Sequence, residues 1–141
     1  MKTRTLLLLA LACGVAIMAA GAVLLVQLNR QADAAPPVPI GVATEVGDMR
    51  VVVDSAVERD GVLDVAVTIG GVDDADGASG FGLIAAGHPV APEAPAVAGL
   101  CAATTAAVQH CTIRFDVAGV DGDSRVLFYE RGDERARWVL S

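Results

Sequence analysis

Hydrophobic and polar positions follow three rules along this chain. Leu6 to Val26 is apolar with no charged residue, Gln27 to Ile40 is rich in alanine and proline, and from Gly41 onward apolar and polar residues alternate in short runs. An uncharged run of that length makes a helix of roughly 30 Å at ~1.5 Å per residue, about the thickness of a bilayer's hydrocarbon core. The pattern predicts a cytoplasmic segment over 1–5, a transmembrane helix over 6–26, a tether over 27–40 and an extracytoplasmic domain over 41–141. Pro36, Pro37 and Pro39 favour extended geometry for the tether.

Within the domain, Met49 to Val57 alternates with Met49, Val51, Val53 and Val57 on one face and Arg50, Asp54 and Glu58 on the other. A period of two predicts a strand. Glu58-Arg59-Asp60-Gly61 has turn chemistry, and Val62 to Ile69 resumes the alternation with Leu63, Val65, Val67 and Ile69 opposite Asp64, Ala66 and Thr68, completing a hairpin. Gly70 to Gly80 reads as an exposed loop, Phe81 to Ile84 as a short strand, and Ala86-Gly87-His88-Pro89 as a turn into a second short segment near Val90. Ala91 to Val108 reads as an irregular crossover with a helical turn around Ala102 to Ala107. Gln109 to Val117 alternates again, with Cys111, Ile113, Phe115 and Val117 inward and His110, Thr112, Arg114 and Asp116 outward. A turn over 118–123 leads to a strand from Arg125 with Val126 and Phe128 inward, and Ala136, Trp138 and Leu140 point inward from the last. Short strands at regular spacing predict an all-β, antiparallel sandwich.

Charge orients the chain. Lys2, Arg4 and the amino terminus precede the apolar run and only Arg30 closely follows it, which predicts N-in, C-out topology. Two alternatives remain open: Ala32 and Ala34 form a small-x-small pattern for signal cleavage and secretion, and Cys13 after Ala10-Leu11-Ala12 resembles a lipidation box that lacks its leucine. All seventeen acidic residues lie after the helix, against seven arginines and no lysine from Gln31 on. Such a charge repels phosphate, arguing against nucleic acid and against lying flat on anionic lipid; it favours a partner with a basic or neutral surface. Cys101 and Cys111 form an isolated pair in this region, most simply a disulfide outside the cytosol, stabilising by roughly 2–3 kcal/mol.

The order V-V-V-D-S-A (51–56), L-D-V-A-V-T-I (63–69), F-G-L-I-A-A-G-H-P-V-A-P (81–92), C-T-I-R-F-D-V (111–117) and R-V-L-F-Y (125–129) leading to R-W-V-L (137–140) resembles bacterial extracellular immunoglobulin-like domains of the secreted mycobacterial antigen type and their uncharacterised membrane-anchored relatives. The resemblance covers about residues 41–140. It implies an immunoglobulin-like β-sandwich, secreted or anchored, without a catalytic signature.

Chemistry-bearing patterns are sparse. Asp73-Asp74-Ala75-Asp76-Gly77 suggests a calcium loop, but counting back from Gly77 puts Val72 in the first ligand position and Leu83 where a bidentate glutamate belongs; Asp121 and Asp123 could add oxygens only if the fold brought them near. His88 and His110 lack metal-ligand spacing, Gly77-Ala78-Ser79-Gly80 lacks the G-x-S-x-G spacing of a nucleophile, and Gly80-Phe81-Gly82 precedes a strand rather than a helix. Arg131-Gly132-Asp133 spells an adhesion tripeptide in ordinary turn composition. Leu127 and Tyr129, on the outward parity of their strand, form the candidate binding surface. The expectation is a non-enzymatic module with no cofactor or metal, which binds an envelope protein or cell-surface ligand. The alternative is an accessory subunit of a membrane complex, pairing through Ala19, Ala20, Gly21 and Ala22.

Overall fold

The computed structural model describes residues 2–32 and 36–140. It separates into an N-terminal unit and a β-domain that begins at Pro37. The N-terminal unit is one helix, α1 (Lys2–Ala32), with its residues exposed as far as Asn29. It runs beyond the predicted 6–26 at both ends. Gln27 to Ala32, read above as tether, continues the helix because none of these residues breaks one and the first proline is Pro36. Ala34 of the cleavage pattern lies outside the described residues.

The domain's described residues form eight strands, β1 (Thr44–Val46), β2 (Met49–Arg59), β3 (Val62–Gly70), β4 (Phe81–Ala85), β5 (His88–Val90), β6 (Gln109–Asp116), β7 (Arg125–Arg131) and β8 (Glu134–Val139). They make two four-stranded sheets, ordered β1-β2-β3-β6 and β5-β4-β7-β8, with antiparallel neighbours throughout. The inner faces meet in one core. Val51, Val53, Val65, Val67 and Phe115 from the first sheet pack with Phe81, Leu83, Leu127, Tyr129 and Trp138 from the second. The fold is the all-β sandwich that the alternation predicted.

The β2–β3 hairpin turns through Asp60 and Gly61, both at positive φ (52° and 78°), the geometry whose twist matches that of paired strands. Register shifts between Val53 and Ser55, so one extra residue enters β2 at Asp54. A slip of one residue exchanges the faces of a strand. Ala56 is therefore half-buried and Val57, expected inward, is 44% exposed. Glu58 shares a row with Leu63 and turns toward Arg125, whose guanidinium donates to both carboxylate oxygens at 2.9 and 3.1 Å.

Two further expectations are corrected. Ala102 to Ala107 forms no helical turn: Thr104 exchanges backbone hydrogen bonds with Asp74 at 3.1 and 2.8 Å and is buried, so the acidic loop supplies the partners a helix would have supplied internally. Residues 37–40 are not free tether. The Val38 N–H donates to the Arg137 carbonyl at 2.8 Å, the Gly41 N–H donates to the Val53 carbonyl at 2.7 Å, and Val38 packs against the core. The crossover 91–108 lies along the outer edge of β6, with Glu93 and Cys101 donating to the Arg114 and Thr112 carbonyls, and so covers backbone that would otherwise template another strand.

Candidate functional site

Leu127 and Tyr129 are not a surface. Both have no exposed area, and the Tyr129 hydroxyl donates to the Gly77 carbonyl at 2.8 Å, while burial pushes the phenol above its ordinary pKa. Every residue from Val126 to Tyr129 is apolar or aromatic, so alternation alone could not choose the buried parity. Pairing with β4 chooses it. Leu83 and Phe81, both buried, stand opposite Leu127 and Tyr129, while Gly82 stands opposite Phe128. A Cβ on Gly82 would lie 2.3 Å from the Phe128 ring, so this ring covers a glycine on the outside of the sheet.

The outward side of the second sheet is thereby defined. Pro89, Ile84, Val126 and Val139 align in one row across β5, β4, β7 and β8. Pro89, Ile84 and Val139 are exposed and Val126 is half-buried. The next rows carry Phe128 beside Arg137, then Glu130 beside Arg135; Arg135 lies 5.1 Å from the centre of the Phe128 ring and pairs with Glu130.

The disulfide predicted between Cys101 and Cys111 is present, with an S–S distance of 2.01 Å and Cα atoms 5.0 Å apart. It joins the crossover to β6, and beside it opens a cleft of about 240 Å³. Leu100, Cys101 and Ile113 line it from the crossover and β6, Ala78 from the acidic loop, and Pro92 and Pro95 from the start of the crossover. Asp76, Ser79, Glu93 and Arg114 add the polar groups. Arg114 is already engaged in a two-point ion pair with Asp64 (2.7 and 3.1 Å), which holds the Asp64 carboxyl below its ordinary pKa. Asp76 and Glu93 make no ion pair among the described residues. Arg114 also feels the charge of Glu93, so the cleft combines an apolar lining with a net negative charge rather than a neutral one.

The other sequence candidates have structural tasks. Arg131 donates to Asp48 at 2.7 Å and to Asp74 at 2.5 Å, tying the β1–β2 turn and the acidic loop to β7. With its guanidinium so held, Arg131 is not displayed as the cation of an adhesion tripeptide. Arg131 lowers the pKa of Asp48; Asp74 is lowered first by the Asp76 N–H and then by Arg131. Asp73 accepts from the Ala106 N–H at 3.1 Å. The carboxylates of Asp73 and Asp74 are thus taken up by backbone and arginine, and no group of three potential metal ligands occurs among the described residues.

A polar contact between strands also escaped the sequence reading. On the outer face of the first sheet, the Thr68 hydroxyl donates to Asp54 at 2.7 Å, leaving its oxygen facing His110 Nδ1 at 2.7 Å. Alternation placed Thr68 and His110 on outward positions, but only the β3–β6 pairing makes them neighbours. A histidine activates a hydroxyl by taking its proton. Here Asp54 holds that proton and does not orient the imidazole, so the arrangement is a cross-strand polar clasp. His88, at the start of β5, is exposed and far in sequence from this clasp.

No protein-family model matches the sequence, and no curated protein matches it significantly. Among crystal structures, the chain is similar to MPT63, a secreted protein from Mycobacterium tuberculosis, with a TM-score of 0.55 and 16% identity, over 75% of this chain and 99% of that one. It is also similar to a candidate lipoprotein from Bacillus subtilis, with a TM-score of 0.52 and 12% identity over 69% of this chain. The chain spans 37% of the length of that lipoprotein. At such identities the likeness shows the fold, and it is the fold that the sequence resemblance implied.

Proposed function

We propose that this chain is an extracytoplasmic binding module of the bacterial envelope, held at the membrane by α1 and without chemistry of its own. An apolar helix and a disulfide support the location, since such bridges persist in oxidising compartments. The secreted and lipoprotein descriptions of the two structural neighbours agree with it. The cleft beside Cys101–Cys111 carries the binding reading: its apolar walls and the net negative charge from Asp76 and Glu93 suit a neutral or basic segment of an envelope protein, with apolar side chains in the cleft and a cation at the carboxylates. A photo-crosslinking residue at Ala94, on the cleft wall, should give a discrete adduct in intact cells that Asp76→Lys with Glu93→Lys abolishes. An identical adduct from Glu45 in β1, at the far edge of the first sheet from β6, or one indifferent to charge reversal, would count against this reading, as would turnover of ester, phosphate or glycoside substrates by the purified chain.

A second reading has its own observation. Gly14 and Gly21, with Ala19, Ala20 and Ala22 beside the latter, put small side chains on α1, which would let another helix approach this stretch closely. Replacing α1 with a polyleucine anchor separates the readings: retained function favours the domain, and lost function favours an accessory subunit paired through the helix. Secretion after cleavage would show as a mature amino terminus near residue 35 in protein recovered from the medium.

A further inference from the structure

Among the described residues, the outer face of the second sheet holds an apolar row whose Pro89, Ile84 and Val139 are exposed and whose Val126 is half-buried. Pro89, Ile84, Val126 and Val139 cross all four strands, and Phe128 extends the patch into the next row. Burying such a row requires a second surface. The charge beside it differs from that of the whole domain. Outward positions of these strands carry two arginines, Arg135 and Arg137, and one carboxylate, Glu130, which Arg135 neutralises. The Arg137 side chain makes no ion pair among the described residues. The acidic excess that argued against anionic lipid is therefore unevenly distributed, and the outward strand positions of this face carry one arginine in excess beside the apolar row.

Chain connectivity adds an independent observation. The polypeptide leaving α1 joins the domain at Val38, whose N–H donates to the carbonyl of Arg137 in β8, the edge strand that carries Arg135, Arg137 and Val139. Residues 33–37 separate the last helical residue from that contact. Their covalent reach is at most roughly 20 Å. Resting on the anchored reading above, we infer that the outer face of the second sheet docks on the surface of the bilayer that holds α1. Pro89, Ile84, Val126 and Val139 meet the acyl boundary, and Arg135 and Arg137 meet the phosphates of anionic lipid. Tethering makes this an intramolecular event at high effective concentration, so a small patch suffices where a free acidic domain would be repelled. The cleft beside the disulfide belongs to the other margin of the sandwich, along β6 of the first sheet.

The full chain, in a Cys13→Ala background, is reconstituted into vesicles of phosphatidylcholine alone or with one quarter phosphatidylglycerol. A polarity-sensitive fluorophore is placed on Val139→Cys or, as control, on Arg59→Cys at the outer face of the first sheet; Ile84→Cys replaces Val139→Cys if that variant loses its far-UV circular dichroism. Docking is expected to shift the Val139 label to the blue and to make it quenchable by spin-labelled lipid, more strongly with phosphatidylglycerol. The Arg59 label should stay aqueous, and Arg135→Glu with Arg137→Glu should return the Val139 label to its aqueous spectrum. An aqueous Val139 label in both vesicles overturns the inference. So does a blue shift without lipid quenching, which would mean that protein, a second copy included, covers the face; equal quenching at both positions overturns it too. Flotation of the chain with carbonate-washed vesicles reports the anchor separately: a chain that does not float refutes the anchored reading, and one that floats with an aqueous Val139 label refutes docking alone.

Discussion

Arg131 shows how a residue's role follows from what its side chain touches. Sequence placed it in an adhesion tripeptide, whereas its guanidinium joins Asp48 of the β1–β2 turn and Asp74 of the acidic loop. Asp48, Asp64 and Asp74 all have carboxyl pKa values lowered from 3.8. The unfolded chain binds their protons more tightly, so their contribution to stability is whole above that value and is lost as pH falls through the lowered pKa values. Melting temperature should therefore drop on acidification below about pH 4. Arg131→Met should lower it at neutral pH and flatten the acid limb, because Asp48 loses its arginine and Asp74 keeps only the Asp76 N–H; thermal melts across pH check this. Tyr129→Phe removes the donor to the Gly77 carbonyl while keeping the ring's packing on Phe81, and should cost about 1–2 kcal/mol in urea unfolding. Neither bond was visible in sequence, since its ends lie on different elements.

Among the elements, β7 and β2 mark the limit of periodicity. In β3 and β6, large apolar positions alternate with Asp64, Ala66 and Thr68 and with His110, Thr112 and Arg114, and the buried faces were legible from that alternation alone. In β7 both parities are apolar, and the glycine that resolves them sits in β4. Gly82→Val should press a side chain into the Phe128 ring and destabilise by roughly 1–3 kcal/mol. Adding Phe128→Ala should recover much of that loss, so the two effects will not sum in a double-mutant cycle read by chemical denaturation. In β2 the extra residue at Asp54 reverses the faces halfway along, bringing Glu58 to Arg125 at the end of the sandwich. A bulge leaves no regular sequence signal, so Val57 was placed on the wrong side.

For the molecule as a whole, the disulfide holds the crossover against β6 and forms part of the cleft. Cys101→Ser with Cys111→Ser should cost roughly 2–3 kcal/mol in urea unfolding. Amide exchange should quicken first at Cys101 and Thr112, whose hydrogen bonds bind the crossover to the strand edge. The cysteine pair was legible because it is isolated in the domain; the cleft was not, because its walls come from the loop before β4 and from both ends of the crossover. Local composition was enough to establish the apolar helix, the strand-rich domain and the bridge, each of which depends on neighbours a few residues apart or on scarcity of partners. Register decided the rest. Which face of β7 is buried, where Arg131 points and which surface stays apolar all depend on pairings between residues tens of positions apart, and a one-residue shift in any of them would exchange inside for outside.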